Sequence, residues 1–272
     1  MARGTPHLDD LSGAERRPRL RDAAADVHLT STIRVGAWNV HEGMTERGQS
    51  FEECVERVLA ERLDLLALQE VPFPGEERPS PLLVSLAERT QLRHHAVQVL
   101  SPAWLARGQL SGVAVASRFP IEVSTAGRLP NPGLESPSMT SFDKGTVTAW
   151  VKARGRVVAM TSLHMPPFHR FGRRAEDGSF GYIWDNLAKQ LEPEGDELLI
   201  IAGDFNTPHR QLLLHRMNAD LRSSVTVPTH KGKTIDDIVH STLAEQVSTR
   251  VVQTFSDHCL CVVELSLGTG HG

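Results

Sequence analysis

The chain has 272 residues and a formal net charge of −4, with Lys+Arg 29 against Asp+Glu 33. That length suits one large domain or two small ones, and the mild acidity excludes a uniformly basic body that coats nucleic acid, so any contact with phosphate must be local. No stretch approaches the roughly 18 apolar residues of a membrane helix, residues 1–28 lack a signal peptide's apolar middle, and three cysteines (Cys54, Cys259, Cys261) are too sparse for a disulfide framework.

Residues 1–30 mix arginines and acids with few large apolar groups, which predicts a disordered N-terminal tail. A single domain is expected over 31–268, since no linker interrupts it. From Ile33 the chain breaks into short apolar runs rich in Val, Ile and Thr, a strand signature. The first, IRVGAWNV, places Asn39 at its end. Residues Phe51–Arg62 set Val55, Val58 and Leu59 at helical spacing. DLLALQEV follows as a strand ending near Glu70, and a Pro/Gly loop covers 72–81. Leu82–Thr90 reads as a helix and GVAVASRF as a strand. Within SRFP, Arg118 fits either a structural salt bridge or a phosphate contact.

A second loop spans 128–137, and Lys144 in FDKGT precedes the strand TVTAWVKA. VVAMTSLHM carries His164 near its end. The loop at 165–179 leads into a helix at Ile183–Leu191, and ELLIIAGDFN then ends on Asp204 and Asn206. Pro208–Met217 reads as a helix, with Asn206 and Thr207 as caps and Pro208 in the first turn. In TIDDIV, Asp236 interrupts an apolar run, and Asp257–His258 opens the last strand, CLCVVELSL. The outcome is an α/β domain containing mixed sheets.

Asn39, Glu70, His164, Asp204, Asn206, Asp236, Asp257 and His258 thus share one placement, at the ends of buried strands. Desolvating such groups is expensive unless they meet a cation, a phosphate or one another, so they are expected to converge. Carboxylate and amide oxygens are hard ligands for Mg²⁺, and a His–Asp pair can orient or deprotonate water. The inventory suits hydrolysis of a phosphate ester. Cys259 and Cys261 alternate along one strand and have no C-x₂-C partner, which argues against thiolate-bound zinc.

In order along the chain, WNV (38–40), LQE (68–70), SRFP (117–120), SLH (162–164), GDFN (203–206), IDD (235–237) and SDH (256–258) resemble the endonuclease/exonuclease/phosphatase superfamily, which includes DNase I-like nucleases. The resemblance spans Ile33 to Leu267. It implies a four-layer α/β/β/α sandwich of two mixed sheets flanked by helices, with the site across its top. It further implies that Glu70, with Asn39 and Asp257 beside it, holds Mg²⁺ or Mn²⁺. Asp204 and Asn206 align water and phosphate, His258 paired with Asp236 is the general base or its electrostatic equivalent, and His164 serves the transition state or leaving group.

Two branches of that superfamily fit poorly. SLH stands where abasic-site endonucleases usually carry a Tyr motif, and GKTIDDIV replaces the Trp-containing motif of inositol polyphosphate 5-phosphatases. Asp237 adds a second acid beside Asp236, which is chosen over it as the partner of His258, and makes that choice less secure.

The segment 165–185 interleaves Phe168, Phe171, Phe180, Tyr182 and Trp184 with His169, Arg170, Arg173 and Arg174. Two readings are open: a loop that stacks bases and grips a nucleic acid backbone, or aromatics packed on the sheet with solvated arginines. Lys144, Arg170 and Arg173 are the candidate phosphate-binding cations. Of the 13 histidines, His169 and His230 lie in loops that edge the site.

The sequence therefore predicts a cytoplasmic, monomeric, metal-dependent phosphodiesterase with nucleic acid as substrate and no evident protein partner. Two alternatives are a hydrolase of a small phosphate ester, nucleotide or lipid headgroup, and a binding protein that kept the fold without turnover.

Overall fold

The computed structural model describes residues 32–193 and 195–268; the expected tail over 1–30 lies outside them. One sheet holds strands β1 (Thr32–Asn39), β2 (Leu65–Phe73), β3 (His94–Pro102), β4 (Leu110–Ser117), β11 (Glu245–Val252) and β12 (Leu260–Ser266). The other holds β5 (Ile121–Arg128), β6 (Gly145–Ala153), β7 (Arg156–His164), β8 (Leu198–Asp204), β9 (Leu221–Ser223) and β10 (Asp236–Ser241). Their orders are β11-β12-β1-β2-β4-β3 and β9-β10-β8-β7-β6-β5. β1 and β2 run parallel, as do β7 and β8, and antiparallel pairs such as β1 with β12 complete two mixed sheets.

Alternation along each strand sorts side chains into layers. Val35, Ala37, Val115, Met160, Ile200 and Ile238 fill the space between the sheets. On the outside, Trp38, Leu66 and Leu68 meet α1 (Phe51–Glu61) and α2 (Pro81–Arg89), while Leu163, Leu199 and Ile201 meet α3 (Gly181–Leu191). Each such burial contributes roughly 1.5–3 kcal/mol. The architecture is the expected α/β/β/α sandwich, and Cys54, Cys259 and Cys261 are free and buried within it.

Two departures from the sequence pattern have local causes. β3, β5, β9 and β11 escape it, and all four are edge strands with partly exposed faces. The helix expected over Pro208–Met217 shrinks to one turn, α4 (Gln211–Leu214). Its intended start is held open because the Arg210 guanidinium donates to the carbonyls of Thr207, Thr234 and Asp236 and to the Asp237 carboxylate. In the segment 165–185, Phe168, Phe180 and Trp184 are buried against the second sheet, so the packing reading holds for them; Tyr182 stays exposed. Among the described residues no helix is long and apolar enough to cross a membrane.

Candidate active site

Strand register gathers the polar strand ends at one end of the sandwich. His164 pairs with Asp204 across β7 and β8, and Asp204 pairs with Asp236 across β8 and β10. Gly145 pairs with His164, which brings Lys144 alongside. The two sheets are clamped just beneath: Gln69 Nε2 donates to Ser162 Oγ (2.9 Å), and that hydroxyl donates to the Leu68 carbonyl (2.8 Å). Ser256 Oγ donates to the Asn39 carbonyl (2.9 Å) and accepts from the His258 amide (3.1 Å), tying SDH to the end of β1.

Local backbone departures set the directions of Glu70 and Asn206. A bulge falls between Gln69 and Val71, and Glu70 adopts φ 54. A left-handed non-glycine residue of this kind costs about 1–3 kcal/mol and persists where the surroundings enforce it. Asn206 is left-handed too, at φ 52, held by its own amide donating to Asp204 Oδ1 (2.8 Å) and its Nδ2 to the Met165 carbonyl (2.7 Å). Gly203 in GDFN sits at φ 147, where a Cβ would lie 2.1 Å from the Leu163 carbonyl oxygen, so only glycine fits.

Asp204 is the centre of the arrangement. Its Oδ2 accepts from Asn39 Nδ2 (3.2 Å) and lies 3.6 Å from His164 Nε2 and 3.8 Å from His258 Nε2. Burial and the Asp236 carboxylate push its pKa up to about 6. His258 is buried, which opposes its charge, but Asp236 and Asp204 outweigh that and raise it to about 9. His164 is held well below the ordinary range by burial first and then by Lys144 and His258, so it is neutral. Lys144 Nζ sits 3.0 and 3.2 Å from the two ring nitrogens of His164; burial pulls its pKa down while Glu70 and Asp204 oppose that.

The second acid of IDD has a different part. Asp236 meets His258, whereas the Asp237 carboxylate accepts from Arg210 Nε (2.8 Å), from Ser223 Oγ, and from the backbone amides of Ser224, Val225 and Ile238. Asp237 therefore holds β9, β10 and the α4 turn together.

Asp257 is engaged on both oxygens. His41 Nδ1 meets Oδ1, while His230 Nε2 (3.1 Å) and Lys231 Nζ (3.0 Å) meet Oδ2. Burial raises its pKa, but these hydrogen bonds outweigh it and hold the carboxyl far below the usual range. His230 also stacks on His258, with ring centroids 4.3 Å apart.

A pocket lined by Glu70, Lys144, His164, Arg170, Asp204 and His258 joins these groups. Asn206, Asp257, His169 and His230 line it too. Arg173 does not: it pairs with Asp177 (3.7 Å) and lies over the Phe180 ring. Arg118 pairs with Asp64 (3.2 Å) at the start of β2, the opposite strand end from Glu70, as the salt-bridge reading has it. His41, Glu42, Trp104 and Phe142 are among the pocket residues that were not singled out from the sequence. The VHEG turn carrying His41 and Glu42 has no motif signal, and Trp104 and Phe142 come from loops whose approach depends on tertiary packing.

A hard divalent cation fits this donor set. Among the described residues no donor hydrogen-bonds the Glu70 carboxylate, which lies in the pocket 3.8 Å from His164 Nε2 and is partly exposed. Asn39 Oδ1, fixed by the His41 amide (3.0 Å), and the Asp257 and Asp204 carboxylates add oxygen donors of the type Mg²⁺ and Mn²⁺ prefer. Asp204, Asp236 and His258 also bring ligand atoms within 4.8 Å of one another.

Residues 36–258 match the family model for the Endonuclease/Exonuclease/phosphatase family. The chain belongs to this family. Members of the family are phosphoric ester hydrolases. No curated protein matches the chain in sequence. Among solved structures, an endonuclease/exonuclease/phosphatase from Beutenbergia cavernae is similar at 18% identity, covering 87% of this chain and 72% of its own, with a TM-score of 0.67. A family protein from Leptotrichia buccalis matches at 16% identity over 85% and 98% of the two chains, TM-score 0.65. The human Nocturnin catalytic domain, solved with a bound sulfate anion, matches at 22% identity over 88% and 95%, TM-score 0.60. These likenesses establish the fold.

Proposed function

We propose that this member of the family is a divalent-metal-dependent phosphodiesterase that hydrolyses DNA or RNA. The observation that carries it is the placement of Asp204 between His164 and His258, with Glu70, Lys144 and Arg170 lining the same pocket. Glu70, with Asn39 and Asp257 beside it, would hold the cation, which when bound neutralises charge on the phosphoryl oxygens.

The protein groups divide the remaining work. Asp204, oriented by Asn39 and the Asn206 amide, faces the pocket as proton acceptor for the attacking water. His258, its Nδ1 occupied by Asp236, presents Nε2 toward the same space and can donate to a phosphoryl oxygen. Lys144 beside His164 places a positive charge and a neutral imidazole where a leaving oxygen needs stabilisation. Arg170 is the remaining cation for a non-bridging oxygen.

The test is hydrolysis of single- and double-stranded DNA, RNA and nucleotide esters by purified protein with Mg²⁺ or Mn²⁺ and with EDTA. Wild type should turn over only with metal, and Asp204→Ala and His258→Ala should lose activity; equal turnover by all three proteins would remove the proposal. A small phosphate ester is the second reading, motivated by the net charge of −4. Salt separates the two, because a polymer loses affinity steeply with ionic strength and a small ester only shallowly.

A further inference from the structure

One wall of the catalytic pocket has no part in the hydrolysis described above. Trp104 and Phe142 both line it, and their rings meet edge to face with centroids 5.8 Å apart at 64°. Trp104 is 49% exposed. An indole held in edge-to-face contact with Phe142 and half exposed offers apolar aromatic surface that is unfavourable to leave in water.

The loop carrying Trp104 is anchored. The Glu42 carboxylate accepts hydrogen bonds from the backbone amides of Trp104 (2.6 Å), Leu105 (2.7 Å) and Ala106 (2.7 Å). Glu42 is 2% exposed and left-handed at φ 56, so a buried charge and a strained backbone are both committed to this contact. Glu42 follows Asn39 by three residues in the turn after β1, and it thereby fixes the Trp104 loop to the strand end that supplies the site. Lys144 and Arg170 line the same pocket and supply positive charge. A ligand that satisfies the whole pocket carries an anionic phosphate together with a planar apolar group.

We propose that Trp104, backed by Phe142 and positioned through Glu42, is a stacking platform for an unpaired nucleobase next to the scissile phosphate, so that single-stranded nucleic acid is preferred over duplex. A base inside a duplex is already stacked and paired, and only an unpaired one can lie on the indole. This rests on the phosphodiesterase reading and narrows its substrate.

The experiment compares kcat/KM on oligothymidylate with that on an abasic oligomer of the same length and charge. Wild type should favour the base-bearing strand and cut single strands faster than duplex. In Trp104→Ala the ratio between the two substrates should fall about tenfold or more, mainly through KM, as expected for loss of one base–aromatic stack. Trp104→Tyr should restore most of it, and Glu42→Gln should lower it with the fold intact by circular dichroism. Equal loss on both oligomers in Trp104→Ala, or duplex cleaved as fast as single strand, overturns the platform.

A second measurement separates this from failure of the hydrolase reading. Asp204→Ala protein in EDTA is titrated with oligothymidylate while its indole fluorescence is followed. Quenching that vanishes when Trp104→Phe is added supports stacking whether or not turnover was found; binding without quenching, or no binding, overturns it.

Discussion

His258 Nδ1 lies 2.9 and 3.0 Å from the two carboxylate oxygens of Asp236, and its opposite nitrogen faces Asp204 at 3.8 Å. The imidazole is thus held by one carboxylate and aimed at another. Asp236→Asn keeps the shape but removes the charge that fixes the ring's protonation and orientation. Its kcat should fall by about 10²–10⁴, the range of a positioned acid–base group, with the fold intact by circular dichroism. Steady-state kinetics within a few-fold of wild type would sink the assignment.

The neighbouring acid should behave in the opposite way. Asp237 is fully buried and answers Arg210 and three backbone amides, so Asp237→Asn leaves Arg210 without its counter-charge. Breaking a buried pair costs about 3–5 kcal/mol. Chemical denaturation should show that loss in Asp237→Asn and far less in Asp236→Asn.

Glu70 is expected to dominate cation affinity, because its carboxylate enters the pocket free of hydrogen-bond donors while Asp257 is occupied by His41, His230 and Lys231. Glu70→Gln should weaken Mn²⁺ binding by about tenfold or more, read by electron paramagnetic resonance or calorimetry without any substrate. Unaltered Mn²⁺ affinity would move the cation elsewhere in the pocket.

His240 provides a pH-dependent stability effect away from the site. It is 1% exposed, its Nδ1 contacts the Ser241 carbonyl, and its Nε2 has no partner among the described residues. Burial lowers its pKa from 6.5; Arg222 lowers it further, and the Ser241 carbonyl and Asp237 oppose the shift without reversing it. Below pH 6.5 the unfolded chain therefore binds the proton that folded His240 refuses, and stability falls as the solution is acidified. Melting temperature should drop more steeply from pH 6.5 to about 5 in wild type than in His240→Asn. Parallel slopes would refute the effect.

The sequence by itself determined the layers. Continuous or alternating apolar runs such as IRVGAW and ELLIIAG are long enough and buried enough to specify central strands, and Asn39, His164 and Asp204 at their ends were legible because polar groups interrupt those runs. It did not determine the edges: β5 and β11 are mostly exposed, so water supplies no pressure for a period-two apolar pattern. It favoured Asp236 over the adjacent Asp237 as the partner of His258 without securing that choice; the two point to opposite faces of β10, one to His258 and one to Arg210, and that is decided by the folded strand. The engagement of Asp257 by His41, the escape of Arg173 to Asp177, and the meeting of Trp104 with Phe142 were all decided by tertiary structure. Those contacts join loops far apart in sequence or divert a side chain to a local partner, and no periodicity encodes which loops will meet.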